Sequence, residues 1–409
     1  MLNVGRIHKD FPIFKRLING KPIVYLDSTA SSLKPQIVID ALCDYYKNYC
    51  VNIFRGVYTL SEEATAKYEA ARAKIGKFIA SNNPSEVIFT RNATESINLV
   101  AYAWGRQNID ARSEIISTVM EHHANLVTWQ QLALETGAKI KYIDFDNEGY
   151  LNLEELRRTI TPKTKMVAVT YVSNVLGTIN PVDKIVRMVK NINPKIVVLI
   201  DAAQAVPHMK VDVEALGCDF FAFSGHKMLG PTGIGILWGK YQLLEKMMPY
   251  QLGGEMIKVV TLAKTTFNIP PYKFEAGTPN IAGALGLAAA VEYLSQLNME
   301  QVREHEKILV KYALERFNSL NYIRIYGPKD PEKKGGVIAF NINGIHTHDV
   351  AQILNNDNVF IRSGHHCAMP LHTRLGISAS CRASFYVYNT QDDIDKLIDS
   401  MQKTKRIFK

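Results

Sequence analysis

Short apolar runs that are rich in β-branched residues recur between residues 85 and 240, separated by helix-like segments or turns. The runs are Val87 to Thr90, Ile115 to Val119, Ile140 to Phe145, Met166 to Val172, Ile196 to Ile200, Phe220 to Phe223 and Ile234 to Trp238. Strands that are apolar on both faces are typical of a parallel sheet covered by helices, and their alternation with helices is typical of βα units. The sequence therefore predicts an α/β fold with a mostly parallel sheet.

The pattern changes after residue 281, where a long helical stretch reaches Phe317. Strands are then predicted at Ile323 to Tyr326, Gly336 to Ile342 and Val359 to Arg362, and a closing helix begins near Asp392. We therefore expect a large α/β domain over residues 21–285 and a smaller α+β domain over residues 286–409. Residues 1–20 are expected to pack on the smaller domain.

Composition narrows the class of protein. The 409 residues are 47% hydrophobic and 21% charged, as in ordinary globular proteins. We expect neither a membrane-spanning segment, because no apolar stretch approaches the ~20 residues needed, nor a secretory signal. Five cysteines without a C-x-x-C pair suggest neither a disulfide framework nor a zinc site, so we expect a reducing, cytoplasmic compartment. The net charge of +9 is spread along the chain, and no nucleic-acid or membrane partner is expected.

A carboxylate and an amine each follow a predicted strand. Asp201 ends the run from Ile196, and Lys227 follows the run that ends at Phe223. Alone, such an Asp would more often be a helix cap and such a Lys a surface residue. In open α/β sheets, however, ligands bind beyond the carboxyl ends of strands. Together the two supply what pyridoxal 5′-phosphate (PLP) needs, an amine for its aldehyde and a carboxylate for its pyridine nitrogen. The pair predicts PLP held as a Schiff base on Lys227.

The same edge of the sheet offers groups for a phosphate and for a ring. Thr94 follows a strand near the start of a predicted helix, whose free N–H groups attract anions, although Thr-x-x-Ser is more often only a helix cap. Ser224 and His226 lie just before the predicted Schiff-base lysine and supply further donors. His123 could stack on the pyridine ring. The vicinal histidines also allow a metal site, but no third ligand stands at a suitable spacing, so no metal is predicted.

These residues belong to longer motifs that span nearly the whole chain. The motifs are Tyr25-Leu-Asp-Ser28, Arg55-Gly56, Glu121-His-His-Ala-Asn125, Ser173-Asn-Val-Leu-Gly177, Asp201-Ala-Ala-Gln204, Ser224-Gly-His-Lys227, Phe274-Glu-Ala-Gly-Thr-Pro-Asn280, Arg362-Ser-Gly-His-His-Cys367 and Arg382-Ala-Ser-Phe-Tyr386. In these motifs and their order the chain resembles the SufS-like (group II) cysteine desulfurases. They belong to the class V aminotransferase family of fold-type I PLP enzymes.

The resemblance implies a role for each candidate site residue. It implies that Lys227 carries PLP, His123 stacks on the ring, Asp201 pairs with the pyridine nitrogen and Gln204 with the phenolic oxygen. It further implies a homodimer, and the phosphate ligands Thr94, Ser224, His226 and, from the second subunit, Thr278. The substrate-binding residues that follow from it are Asn174, Arg362 and Arg382, and a guanidinium also matches a carboxylate with two parallel hydrogen bonds.

Two positions depart from the family pattern. Tyr58 stands where relatives usually carry histidine, and Thr29 stands where alanine is usual. Both segments lie near the active site in the family. These departures therefore concern substrate fit and turnover more than the cofactor.

Cys367 is the predicted nucleophile. Cysteines are usually buried and inert, and we expect this of Cys43, Cys50, Cys218 and Cys381. Two histidines and Arg362 precede Cys367, however, and positive neighbours favour the reactive thiolate. The resemblance assigns it the family's acceptor role for sulfur.

The expected activity is therefore a cysteine desulfurase, which converts L-cysteine to L-alanine and leaves a persulfide on Cys367 for iron–sulfur cluster assembly. The expected partner is a sulfur acceptor of the SufE or SufU type or a scaffold protein. Selenocysteine lyase or cysteine sulfinate desulfinase activity is the enzymatic alternative, since the same ring chemistry serves these substrates. A noncatalytic partner protein that kept the fold is the alternative from another class.

Overall fold

The computed structural model describes residues 2–408. The strands of the N-terminal part and the large sheet are β1 (Leu17–Ile18), β2 (Lys21–Pro22), β3 (Val24–Tyr25), β4 (Val87–Thr90), β5 (Glu114–Thr118), β6 (Lys139–Ile143), β7 (Thr164–Thr170), β8 (Val197–Asp201), β9 (Phe220–Ser224) and β10 (Gly235–Gly239). The later strands are β11 (Ile257–Val260), β12 (Thr265–Phe267), β13 (Ile323–Tyr326), β14 (Val337–Ile342), β15 (Val359–Phe360), β16 (Arg362–Gly364) and β17 (Ser380–Ser384).

The helices connect and cover these strands. They are α1 (Val4–Asp10), α2 (Gln36–Asn48), α3 (Thr59–Phe78), α4 (Ala93–Val100), α5 (Arg106–Asn108), α6 (Val127–Thr136), α7 (Leu153–Thr159), α8 (Val182–Ile192), α9 (Val213–Leu216), α10 (Tyr241–Lys246), α11 (Ile281–Leu297), α12 (Met299–Asn318), α13 (Thr347–Asn356), α14 (Met369–Arg374) and α15 (Gln391–Ile407). A π-helical turn, Ala101–Gly105, joins α4 to α5.

A seven-stranded sheet forms the centre of the large part, in the order β4-β10-β9-β8-β7-β5-β6. All its strands run parallel except β10, which is antiparallel to both neighbours. The central strands β7, β8 and β9 are almost entirely buried, as expected for strands covered on both faces. The predicted α/β fold with a mostly parallel sheet is confirmed, and each strand lies within two residues of its predicted position.

A separate four-stranded sheet, in the order β13-β14-β17-β16, forms the core of the C-terminal part. Its strands are antiparallel, and their apolar face packs with α12, α13 and α15. The smaller α+β unit predicted after the large sheet therefore has its own hydrophobic core, while the boundary at residue 285 stays a prediction.

The N-terminal segment contacts this C-terminal part. The Phe11 ring makes edge contacts with Tyr293 and Tyr388, and the His8 ring nitrogen lies 2.5 Å from the Tyr388 carbonyl oxygen. Strand β3 pairs in parallel with β15. The N-terminal segment thus contacts the C-terminal part as far as Tyr25, while its assignment to a separate small domain stays a prediction.

The long helical stretch predicted from residue 281 to Phe317 is two helices. Asn298 interrupts it with a left-handed φ of 66°, and its side chain accepts a hydrogen bond from the Glu300 N–H at 2.9 Å. Asn tolerates this conformation and is a good N-cap, so it ends α11 and starts α12. Between residues 2 and 408, no helix combines the length and apolar character needed to cross a membrane.

Candidate active site

A cavity of about 270 Å³ lies at the carboxyl edge of the large sheet. The last residues of three parallel strands line it, Thr170 of β7, Asp201 of β8 and Ser224 of β9. Residues that follow β4 and β5 complete this wall, and Arg382 and Cys367 close it from the C-terminal part. The cavity therefore lies where open α/β sheets bind ligands, between the two parts of the chain.

Lys227 and Asp201 both line this cavity, as the sequence predicts. Lys227 ends a short 3-10 turn, Gly225–Lys227, directly after β9. Burial lowers the pKa of its amine, and the nearby Asp201 carboxylate partly offsets this effect. Burial raises the pKa of Asp201, and a hydrogen bond from the Ala203 N–H and the charge of Lys227 oppose it. Asp201 is thus a buried carboxylate that a cation in the cavity would stabilise.

The N-terminus of α4 faces the cavity through Asn92, Ala93 and Thr94. The Asn92 side chain caps the helix by accepting from the Glu95 N–H at 2.9 Å. Ser224 Oγ accepts from the Ala93 N–H at 2.9 Å, which joins β9 to the helix start. Thr94 is exposed. The helix terminus and nearby hydroxyl groups give this end of the cavity an anion-binding character.

His226 also lines the cavity beside Lys227. Burial lowers its pKa to about 4, with smaller contributions from the charges of Lys227 and Lys34. At neutral pH the ring is therefore uncharged and can contribute one N–H donor to an anion.

The structure places His122, and not His123, on the cavity wall. Burial lowers the His122 pKa to about 3, and the charge of Lys227 adds to this effect, so the ring is neutral. The His123 N–H instead donates to the Cys367 carbonyl oxygen at 2.7 Å, and His123 Nε2 accepts from the Met369 N–H at 3.0 Å. The turn after β5 thus directs the two neighbouring rings to different partners.

Arg382 and Asn174 lie together, as expected for a carboxylate site. Arg382, on β17, is 3% exposed, and its Nη1 donates to the Asn174 carbonyl oxygen at 3.0 Å. Arg382 Nη2 donates to Asp27 Oδ1 at 3.2 Å, and Arg362 Nη2 donates to Asp27 Oδ2 at 2.9 Å. Two guanidinium groups thus share one carboxylate, which leaves a net positive charge at the cavity wall. Burial lowers the Arg382 pKa to about 10, partly offset by Asp27.

Cys367 lies at the cavity in a loop with unusual backbone conformations. Both His366 and Cys367 have left-handed φ values, 49° and 55°. Asn174 Nδ2 donates to the His366 carbonyl oxygen at 2.7 Å, and a His366 ring nitrogen lies 3.0 Å from the Ser380 carbonyl oxygen. Non-glycine residues adopt such φ values only when their surroundings hold them, and such strain often marks functional sites. Cys367 is exposed and borders the cavity. Cys218 and Cys381 are buried as expected, whereas Cys43 and Cys50 are exposed, so the expectation of burial is wrong for these two cysteines.

Two further residues on the cavity wall carry buried polar atoms without a protein partner. Gln204 Nε2 donates to the Thr29 carbonyl oxygen at 2.8 Å, whereas Gln204 Oε1 makes no hydrogen bond in the described part of the chain. Thr29 is buried, and its Oγ1 likewise finds no partner among residues 2–408. Buried polar atoms normally form a hydrogen bond, so these two oxygen atoms are available to a ligand or a water molecule.

The remaining sequence candidates lie elsewhere. Thr278 is exposed and lines a second cavity of about 240 Å³ with Arg91 and Glu95, outside the Lys227 cavity. This position does not test its expected role in a partner's site. Tyr58 is exposed at the start of α3 and does not line the Lys227 cavity, in contrast to Thr29. In the described chain no group of three or more His, Cys, Asp or Glu side chains could hold a metal ion.

Sequence reasoning missed two residues that organise the site. Asp27 bridges both arginines, and its only signal was membership of the Tyr25-Leu-Asp-Ser28 motif. Glu121 is fully buried behind the histidines and accepts from Thr118 Oγ1 at 2.7 Å, Asn125 Nδ2 at 2.6 Å and the Thr170 N–H at 3.0 Å. Burial raises its pKa to about 8 despite these donors. Glu121 joins the turn after β5 to the end of β7.

Known proteins resemble the chain over its full length. The Aminotransferase class-V family matches residues 24–397. A probable cysteine desulfurase of Halalkalibacterium halodurans is 50% identical over 407 residues, covering 100% of this chain and 99% of that protein. A cysteine desulfurase of Haloferax volcanii is 47% identical, covering 100% and 98%.

Solved structures resemble the fold as well. The apo structure of a cysteine desulfurase from Thermococcus onnurineus superposes with a TM-score of 0.93 at 39% identity, covering 98% of each chain. The Escherichia coli cysteine desulfurase CsdA, in an S-sulfonic acid form, gives a TM-score of 0.91 at 35% identity, covering 100% of this chain and 99% of that chain.

Proposed function

Because the chain belongs to the aminotransferase class-V family, and cysteine desulfurases match it from end to end, we propose that it is a PLP-dependent cysteine desulfurase. It converts L-cysteine to L-alanine and keeps the sulfur as a persulfide on Cys367. The observation that carries the proposal is that Lys227, Asp201, Arg382 and Cys367 border one cavity.

The residues of the cavity fit PLP. Lys227 would hold the aldehyde, and Asp201 would accept a hydrogen bond from the protonated pyridine nitrogen. A protonated ring nitrogen would offset the burial that raises the Asp201 pKa. Gln204 Nε2 uses one hydrogen on the Thr29 carbonyl oxygen and would donate its second hydrogen to the phenolic oxygen. His122 replaces His123 in our proposal as the ring-stacking residue, since it lines the cavity.

The phosphate would lie at the N-terminus of α4. Thr94, Ser224 and the neutral His226 ring are the donors that this chain offers there. Thr278 of a second subunit would complete the set in a homodimer; within its own chain Thr278 is exposed and lines a cavity other than that of Lys227.

The other residues act on the substrate. When bound, PLP supplies an aldehyde for the substrate amine and an electron-withdrawing ring at Cα. Arg382 and Asn174 orient the substrate carboxylate, and Arg362 adds positive charge beside them. Burial lowers the Lys227 pKa, which favours the uncharged amine that would accept the Cα proton.

Cys367 receives the sulfur. Its thiolate attacks the substrate sulfur, a bond forms between the two sulfur atoms, and the carbon–sulfur bond of the substrate breaks. The products are alanine and the Cys367 persulfide, so no external oxidant or reductant is needed. The strained loop holds Cys367 at the cavity, and its exposure leaves the persulfide open to an acceptor.

We further propose that this sulfur supplies iron–sulfur cluster assembly through an acceptor protein of the SufE or SufU type, or a scaffold protein, in the cytoplasm. A persulfide is a reducible species, and its transfer to an acceptor thiol suits a compartment that keeps thiols reduced.

In the decisive experiment the purified protein is incubated with L-cysteine, and the alanine released into solution is measured. Mass spectrometry of the Cys367 peptide should show the addition of one sulfur atom, about 32 Da. Cys367→Ser should abolish both signals and keep the PLP absorbance. Cys43→Ser, which changes another exposed cysteine, is the matched control and should keep both. Persulfide formation on a different cysteine, or full activity of Cys367→Ser, would refute the assignment. Rates on selenocysteine and cysteine sulfinate, measured in parallel, define the preferred substrate.

A further inference from the structure

Lys227 is held in place through its backbone. No side-chain hydrogen bond restrains its amine within residues 2–408, although the site requires that amine to lie beside Asp201. The position of Lys227 therefore depends on the peptide groups around it. Those groups are tied to a segment far away in sequence, Ser31 to Lys34.

The carbonyl oxygen of His226, the residue before Lys227, is the main attachment point. Four donors converge on it: the Ser32 N–H at 3.0 Å, Ser31 Oγ at 3.2 Å, Ser32 Oγ at 3.0 Å and Lys34 Nζ at 2.9 Å. A carbonyl oxygen has two lone pairs, so these donors share it. Lys34 makes the shortest of the four bonds, and in its protonated form it is the charged donor among them, which makes its bond the strongest.

A second attachment lies on the other side of Lys227. The Leu229 N–H donates to Ser32 Oγ at 2.8 Å, and Leu229 has a left-handed φ of 66°. A leucine adopts that conformation only when its surroundings hold it. The same serine thus bonds to the peptide groups before and after Lys227.

Among residues 2–408, Lys34 has no carboxylate partner that would explain its partly buried position. Its remaining hydrogen bonds go to the Ser32 carbonyl oxygen at 2.6 Å and Ser32 Oγ at 3.4 Å, and no carboxylate of residues 2–408 forms an ion pair with it. Burial lowers its pKa to about 7. A partly buried ammonium without a counter-ion is costly, and such groups are commonly functional.

We propose that Lys34 is a positioning residue for Lys227: its ammonium, together with Ser32, fixes the peptide from His226 to Leu229 so that the Lys227 amine stays beside Asp201. The inference rests on the proposed function, since it assumes that Lys227 carries the cofactor. Lys34 itself does not line the cavity.

The first test uses the apoenzyme and does not depend on the cofactor. Hydrogen–deuterium exchange is measured for peptides that cover residues 225–230 in Lys34→Met, and in Lys47→Met as a control, because Lys47 is exposed on α2. We expect exchange in this segment to be at least about tenfold faster in Lys34→Met and unchanged in Lys47→Met, since a charge-assisted bond is lost. Unchanged exchange in Lys34→Met would overturn the proposal.

The second test measures how the holoenzyme responds. Lys34→Met should reduce kcat about tenfold or more with less than a threefold change in KM, and should shift the PLP absorbance spectrum, because the lysine is misplaced while the substrate contacts remain. Lys34→Arg should recover most of kcat. A changed KM with unchanged kcat and spectrum would show that Lys34 acts on the substrate, against the proposal.

Two further measurements separate the possible failures. If Lys34→Met does not fold, Ser32→Ala replaces it. Faster exchange over residues 225–230 is again expected, because the bonds of Ser32 Oγ to the His226 carbonyl oxygen and to the Leu229 N–H are lost. Borohydride trapping followed by peptide mapping identifies the lysine that holds PLP. Trapping on another lysine would refute the proposed function while leaving the exchange result valid.

Discussion

The buried Lys334 gives a quantitative prediction about stability and pH. Its side chain is fully buried, and Nζ donates to the Leu176 carbonyl oxygen at 2.6 Å and the Tyr326 carbonyl oxygen at 3.4 Å. Burial lowers its pKa from 10.5 to about 7. Leu176 belongs to the loop that carries Asn174, so Lys334 supports the substrate side of the cavity.

The lowered pKa of Lys334 determines whether stability rises or falls with pH. Between pH 7 and 10.5 the unfolded chain binds more protons at Lys334 than the folded protein, so stability rises with pH in this window. At 1.36 kcal/mol per pKa unit, the gain from pH 6 to pH 9.5 is about 3 kcal/mol, an upper value because buried sites relax. Lys334→Met removes this gain. The free energy of unfolding of Lys334→Met, relative to that of wild type, should therefore fall by up to about 3 kcal/mol between pH 6 and pH 9.5.

The assay is urea unfolding of the apoenzyme at a series of pH values, with the free energy of unfolding extrapolated to water. Lys333→Met is the matched control, since Lys333 is the adjacent residue and is exposed. Its stability difference from wild type should stay constant with pH. A difference between Lys334→Met and wild type that is the same at every pH would refute the reasoning, because Lys334 would then carry no buried-charge penalty.

Three other predictions concern the site and the core. His122→Ala should weaken PLP binding, measured by dialysis and absorbance, whereas His123→Ala should keep PLP and slow persulfide formation; the reverse pattern would restore His123 as the ring-stacking residue. Arg382→Lys should raise the KM for cysteine about 10- to 100-fold, because a guanidinium fork is lost, and an unchanged KM would remove it from the carboxylate site. Glu275→Gln should lower the free energy of unfolding by roughly 3 kcal/mol or more, since Glu275 and Arg72 form a buried ion pair at 2.6 Å. An unfolding midpoint at the same urea concentration as wild type would contradict this.

The large sheet was predictable because its strands are continuous apolar runs. Each run matched an observed strand, and Asp201 and Lys227 could be placed at one edge because parallel strands end on the same side. The antiparallel β10 was not visible in the sequence, since the run from Ile234 to Trp238 looks the same in either direction. Strand direction depends on the connection, which short-range patterns do not determine.

The choice between His122 and His123 shows a different limit. Both rings follow β5, and the turn directs them to different partners. Sequence spacing brings both to the sheet edge but does not say which one faces Lys227, since that depends on the Cys367 loop, 244 residues further along the chain from His123. Asp27 was missed for the same reason: its importance comes from two arginines that are distant in sequence.

The bonds between His123 and the Cys367 loop bear on how sulfur leaves the enzyme. Because the His123 N–H holds the Cys367 carbonyl and Met369 holds the His123 ring, the loop cannot swing outward without breaking contacts on both sides. We therefore expect the persulfide to remain at the cavity mouth. Under the proposed function, we expect a recipient protein to bring its own thiol to that mouth, so that the shape of the recipient, more than movement of Cys367, decides which proteins can collect the sulfur.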